Sequence, residues 1–200
     1  MASLLLEAVQ SNGKEDVLRA LKAGCDVREY TPQSSTPLSV SVKLGYSTIT
    51  ELLLRHGADP TQADRNFVGG KSPLHYAVEK GDTDTAGRLI AAGAFPSAPD
   101  SQGFTPLHYA ARLGLVGTAK FLLSKGADPE ALDSLGKSPY YWATLEGHKE
   151  CAGLFPPLKY DLWEHMEKEK TAHQAQYAGL AAITAPKKKA KASKGKKKKK

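Results

Sequence analysis

Apolar residues over the first three quarters of the chain come in short bursts separated by polar turns that contain glycine. The group Ile49, Leu52, Leu53, Leu54 recurs at three- to four-residue steps, and Ala119, Phe121, Leu122, Leu123 does the same further on. That spacing lines one face of a helix. Gly57, Gly93 and Gly126 stop these helices, and Asp/Gly-rich residues then turn the chain into an outward hairpin. A shorter helix is predicted ahead of each, starting at Thr36-Pro37, Ser72-Pro73, Thr105-Pro106 and Ser138-Pro139. The hydroxyl is an N-cap, and proline sits at the first helical position, where its missing N–H costs nothing. Gly45, Gly81, Gly114 and Gly147 end these helices, where a left-handed residue is wanted.

These elements repeat with a fixed period. The Thr/Ser positions 36, 72, 105 and 138 are 36, 33 and 33 residues apart. A second phrase runs in step as Gly24-Cys25-Asp26, Gly57-Ala58-Asp59-Pro60, Gly93-Ala94-Phe95-Pro96 and Gly126-Ala127-Asp128-Pro129. Two phrases sharing one period mark a repeat architecture. No single helix pair covers its own apolar face, so neighbouring units must stack. The expected fold is an all-α solenoid of about five helix-pair units with hairpin loops.

The phrases Ser72-Pro73-Leu74-His75-Tyr76-Ala77 and Thr105-Pro106-Leu107-His108-Tyr109-Ala110, the mid-unit glycine and the Gly-Ala-Asp loop resemble the ankyrin repeat. The resemblance covers about residues 3–155 and is fullest over 105–132. The first unit, 3–27, lacks the Thr-Pro-Leu-His start, as a capping unit would. The last has Tyr140 in place of leucine and stops at Phe155-Pro156-Pro157. The stretch Asp64–Lys71 is three residues longer than its counterparts, which places an insertion in one exposed loop.

The resemblance implies a protein-binding scaffold whose contacts flank the signature and precede the mid-unit glycine. In this sequence those positions are Lys43 and Leu44; Arg65, Asn66, Phe67, Val68, Glu79 and Lys80; Ser101, Gln102, Phe104, Arg112 and Leu113; and Ser134, Leu135, Lys137, Leu145 and Glu146. Phe104, Leu113, Leu135 and Leu145 are the expected anchors, because exposed apolar groups gain most from being covered. The resemblance also implies a structural hydrogen bond for His75 and His108 near the Thr or Ser hydroxyl.

Net charge is +7, from 28 basic and 21 acidic residues, but ten of those lysines fall between Lys187 and Lys200. Without them the remainder carries 18 basic and 21 acidic residues, a net of −3. The expected organisation is therefore a repeat domain at 1–157, a helical extension at 158–183 and a disordered polybasic tail at 184–200. In the extension, Trp163, Met166, Tyr177 and Leu180 share one helical face, suited to capping the solenoid or binding a partner.

Lys187, Lys188, Lys189, Lys191, Lys194, Lys196, Lys197, Lys198, Lys199 and Lys200 suit a polyanion or an import receptor. RNA, DNA and an acidic protein such as the tails of tubulin all fit that description. The expected function is a non-enzymatic adaptor, monomeric when alone. A ribosome-, RNA- or chromatin-associated factor and a structural component of a microtubule or axoneme are the alternatives.

The opening Met1–Glu7 has no basic leader and its apolar run is cut by Glu7, so it does not read as a signal peptide. A cytoplasmic or nuclear location follows as the expectation, with a cytoskeletal or flagellar one as alternative. Cys25 and Cys151 fall four units apart, roughly 40 Å at ~10 Å per helix layer, and are expected as apolar fillers rather than a disulfide.

Gly70-Lys71-Ser72 and Gly136-Lys137-Ser138 echo a phosphate-binding loop. The required earlier glycine is replaced by Arg65 and Ala131, and proline follows each serine. No histidine or cysteine spacing fits zinc, and no activated serine occurs. No cofactor or metal is expected.

Overall fold

Every predicted Thr/Ser-Pro pair starts a helix in the structure, a computed structural model that describes residues 2–31, 34–65 and 70–157. Among these residues the chain forms helix pairs and no strand. The pairs are α1 (Ala2–Gln10) with α2 (Lys14–Lys22), α3 (Pro37–Leu44) with α4 (Ser47–Arg55), and α5 (Pro73–Glu79) with α6 (Thr83–Ala91). They continue with α7 (Pro106–Arg112) and α8 (Val116–Ser124), and end with α9 (Pro139–Leu145) and α10 (Lys149–Ala152). The N-cap chemistry is as expected from the sequence. Thr36 Oγ1 accepts the Ser39 N–H at 3.0 Å, and Ser138 Oγ accepts that of Tyr141 at 3.4 Å. Each such cap contributes ~1 kcal/mol.

The odd-numbered helices stack into one row, α1 on α3, α3 on α5, α5 on α7 and α7 on α9. The even-numbered helices form a second row behind them. There α2 meets α4, α4 meets α6, and α8 meets α10. Leu38, Leu74 and Leu107, the leucines of the repeated phrase, are 0–1 % exposed between the rows. Ile49, Leu53, Leu89 and Leu122 of the second-row helices are equally buried. Truncating a leucine at such a site costs ~2–5 kcal/mol.

Close approach between layers dictates one of two glycines that face a neighbouring unit. In α6, a Cβ at Gly87 would stand 3.4 Å from the Phe121 ring of α8. At Gly114 the backbone is left-handed (φ +66), and a Cβ would lie 2.6 Å from His148 Nδ1 of the last unit. The Gly87 spacing is ordinary van der Waals contact, while the Gly114 requirement is met by no other residue.

The first unit forms its helix pair without the Thr-Pro-Leu-His start, burying Val9, Val17 and Ala20 completely while Leu4 is 53 % exposed. Cys151 is fully buried and Cys25 partly buried, each packed in or against the core. Burial holds the Cys151 thiol above its ordinary pKa, so it stays protonated. The extension at 158–183 with Trp163, Met166, Tyr177 and Leu180, and the tail lysines from Lys187 to Lys200, lie outside the described residues. So do Asn66, Phe67 and Val68 of the insertion.

Candidate functional site

The hairpins that project beside the odd-numbered helices are built on one aspartate each. A backbone bond closes each hairpin at its base: Asp64 N–H to Lys71 O, Asp100 N–H to Phe104 O and Asp133 N–H to Lys137 O, all 2.9 Å. Asp100 Oδ1 also accepts the N–H groups of Gln102 and Phe104, and Asp133 Oδ1 those of Leu135 and Lys137. The other carboxylate oxygen reaches the following helix. Tyr76 OH donates to Asp64 at 2.7 Å, Tyr109 OH to Asp100 at 2.7 Å and Trp142 Nε1–H to Asp133 at 2.8 Å. All three aspartates are buried. Asp100 and Asp133 accept at both carboxylate oxygens, as burial demands, whereas Asp64 accepts from Ser35 and Tyr76 at Oδ2 and its Oδ1 has no partner among the described residues.

Burial and the neighbouring carboxylates push the Tyr76 and Tyr109 phenols far above their ordinary pKa. They are neutral donors with fixed rings. These aspartates are not among the expected site residues, although each stands seven residues after the loop glycine, Gly57, Gly93 or Gly126.

His75 and His108 lock one unit to the next. His75 Nδ1 accepts from the Ser72 N–H (3.1 Å) and the Ser72 hydroxyl (2.8 Å), while Nε2 lies 3.0 Å from the Phe104 carbonyl. His108 repeats this with Thr105 and the Lys137 carbonyl. A backbone N–H can only donate, so Nδ1 is the bare nitrogen and Nε2–H donates to the carbonyl. Both imidazoles are therefore neutral, and both are fully buried.

Desolvation holds both pKa values below the ordinary 6.5. A histidine with a depressed pKa binds fewer protons when folded than when unfolded, so its contribution is complete above 6.5 and is lost as pH falls below that value. The melting temperature is expected to drop between about pH 7.5 and about pH 5.5. A flat thermal-denaturation profile across that interval would contradict the neutral assignment.

The surface between the hairpins and the odd-numbered helices carries cations seated on aromatic rings. Lys43 Nζ of α3 lies 5.5 Å from the Tyr76 ring centroid, in the next unit. Lys71 Nζ sits 4.4 Å from the Tyr109 ring, again one unit on, and pairs with Glu79. The Arg112 guanidinium stands 5.2 Å from the Tyr109 ring and 5.5 Å from Phe104. Lys137 Nζ is 4.2 Å from Tyr141, and Arg65 stacks 3.9 Å over Tyr30. Such contacts give ~0.5–1 kcal/mol each at exposed sites and use none of the donors on the cation. Among the described residues no cluster of His, Cys, Asp or Glu is arranged to hold a metal ion.

This geometry meets an independent match: the family model described as ankyrin repeats (3 copies) matches residues 5–100, 61–133 and 88–161. The chain belongs to the ankyrin-repeat family. It is 35 % identical over 91 residues to the human ARF GTPase-activating protein GIT1, a match covering 45 % of this chain and 12 % of that protein. It is 31 % identical over 99 residues to the ADP-ribosylation factor GTPase-activating protein AGD4 of Arabidopsis thaliana, covering 50 % and 12 % respectively. A third match, to the human 2-5A-dependent ribonuclease, is 37 % over 79 residues, 39 % of this chain and 10 % of that one. The chain thus spans about an eighth or less of the curated relatives it matches. Ankyrin repeats are typically non-enzymatic and bind protein partners.

Within the ankyrin stack the expected contact residues divide. Lys43, Leu44, Lys80, Leu113 and Glu146 are exposed at the ends of α3, α5, α7 and α9, just before the mid-unit glycines. Leu44 is 44 % and Leu113 43 % exposed. Arg65, Ser101, Gln102, Ser134 and Leu135 are exposed on the hairpins, with Leu135 at 69 %. Glu79, Arg112, Lys137 and Leu145 are partly buried.

Phe104 is a correction. Expected as an exposed anchor, it is 6 % exposed. Its ring is 5.2 Å from Trp142 and 5.6 Å from Tyr109, filling the gap between two units. It belongs to the core rather than to the gripping surface.

Proposed function

We propose that this chain is a non-enzymatic adaptor that grips a protein partner along the surface between its hairpins and odd-numbered helices. The observation carrying this reading is the recurrence of an exposed leucine, Leu44 and Leu113, at the same position of two units, beside Lys43 and Arg112. Exposed apolar groups rimmed by charge are what a partner covers with most gain. Leu135 at a hairpin tip extends the surface.

Replacing Leu44 and Leu113 together with glutamate is expected to abolish capture of the partner in quantitative affinity purification. Surface substitutions of this kind move stability by only about ±0.5 kcal/mol, so the melting curve should stay in place. Unchanged capture would remove this surface from the function.

The tail lysines from Lys187 to Lys200 add attraction to a polyanion in this proposal, and a cytoplasmic or nuclear location follows from it. Ten lysines without an acid also favour a second reading, association with ribosome, RNA or chromatin. The chain with its tail lysines replaced by glutamine should lose co-sedimentation with nucleic acid on that reading. Retained co-sedimentation would exclude it.

A further inference from the structure

We infer that the partner presents an extended acidic segment to this surface, with its carboxylates bound by Lys43 and Arg112. This rests on the adaptor reading above and names the chemistry of what is bound.

Beside α3, α5 and α7 the surface carries Lys43, Lys71, Lys80 and Arg112, and against them Glu79, while the Asp64 and Asp100 carboxylates are buried and held by the Tyr76 and Tyr109 hydroxyls. Glu79 is taken by Lys71. Among the described residues no carboxylate lies within ion-pairing distance of Lys43 or Arg112. Both heads are instead positioned by rings, Lys43 over Tyr76 and Arg112 over Tyr109 and Phe104. Those rings cannot swing away. Tyr76 and Tyr109 are tethered through their hydroxyls to Asp64 and Asp100, and Phe104 is wedged between Tyr109 and Trp142.

Ring contacts orient a cation without consuming its N–H donors. The result is a row of preorganised, unspent donors on a repeat domain (1–157) with 15 basic and 17 acidic residues, a net of −2. Arg112 suits a bidentate carboxylate contact, and Lys43 a point contact. Leu44 and Leu113 stand beside them to take apolar side chains between the acids.

Lys43 and Arg112 occupy units two layers apart, roughly 20 Å at ~10 Å per layer. An extended chain covers that distance in about six residues at ~3.3 Å each. A nucleic acid fits less well. The ring faces on which bases would stack are already covered by cations.

The test uses the full chain and a fluorescent peptide of about twelve residues, long enough to span both units at ~3.3 Å per residue. The peptide is mostly glutamate, with leucine at every third position. Its binding is followed by anisotropy at about 0.15 M salt. An analogue with glutamine for every glutamate and a single-stranded oligonucleotide of equal charge are the controls.

Because the lysine tail attracts any polyanion, each protein is also made with its tail lysines replaced by glutamine. Binding of the acidic peptide should survive tail neutralisation, fail for the glutamine analogue, and weaken about tenfold in a Lys43→Gln/Arg112→Gln variant. Lys43→Gln alone, at an exposed side chain, should weaken it about threefold with an unchanged melting curve.

Equal affinity of the double variant and the parent, or loss of all binding on tail neutralisation alone, would overturn the inference. So would tighter binding of the oligonucleotide with the same dependence on Lys43 and Arg112. If the peptide arm fails while Leu44→Glu/Leu113→Glu still abolishes partner capture, the acidic-segment inference falls and the adaptor reading stands.

Discussion

A Phe104→Glu substitution is expected to unfold the repeat stack rather than merely weaken its grip. The ring is 6 % exposed, contacts Tyr109, His108 and Trp142, and bridges two units. Truncating a buried phenylalanine costs ~3–5 kcal/mol before any charge is introduced. A carboxylate at that place would be desolvated, and it would sit beside Asp100, whose Oδ1 accepts the Phe104 N–H. Desolvating the carboxylate adds a further penalty, which the nearby Arg112 guanidinium offsets only in part. Against a total stability of ~5–15 kcal/mol, the sum removes most or all of the folded population.

The contrast with Leu113 makes the experiment sharp. Leu113 is 43 % exposed, and Leu113→Glu should leave the unfolding transition nearly unmoved. Urea denaturation followed by far-UV circular dichroism, run on both variants, checks this. Comparable midpoints for Phe104→Glu and the parent would refute the burial assigned to the ring. The consequence for function is practical: loss of partner binding by a Phe104 variant reports unfolding and says nothing about the interface.

The second large effect is expected from His75→Ala. The imidazole is fully buried, and its removal leaves the Ser72 N–H and the Ser72 hydroxyl without that partner and takes from the Phe104 carbonyl one of its two donors, the Asp100 N–H remaining. Each stranded group costs ~1–3 kcal/mol unless water enters, and the vacated volume adds to that. A loss of ~3–5 kcal/mol is the expected result.

The bond to Phe104 crosses 29 residues, so the damage falls on the junction between the third and fourth units. In a stack held by nearest-neighbour contacts, weakening one junction uncouples the two sides. Hydrogen exchange should then show protection lost around α5 and α7 before α3. The variant should also lose part of the stability change between about pH 7.5 and about pH 5.5, since one of the two depressed histidines is gone. A variant that keeps the parent's pH profile would place the titration elsewhere.

Much of the fold was readable before any coordinates. The Thr/Ser-Pro caps, the mid-unit glycines and the two phrases in step prescribe helix pairs at a fixed period, because capping, proline geometry and left-handed backbone are local properties. The positions of Leu44, Leu113 and Leu135 on the surface also followed, since each lies beside a glycine that must sit at a turn.

Other features were decided only between units. Phe104 stands at the same phase as Lys71 and Lys137, a phase that is partly exposed in both of those units. Nothing within its own repeat says that Tyr109 and Trp142 leave a ring-sized gap for it. The pairing of Lys43 with Tyr76, of Lys71 with Tyr109, and of both histidines with carbonyls 29 residues on is of the same kind. A repeat's sequence specifies its own turns and caps. Which side chains are buried at a junction depends on the volumes that two neighbouring layers leave between them, and that is a property of the stack.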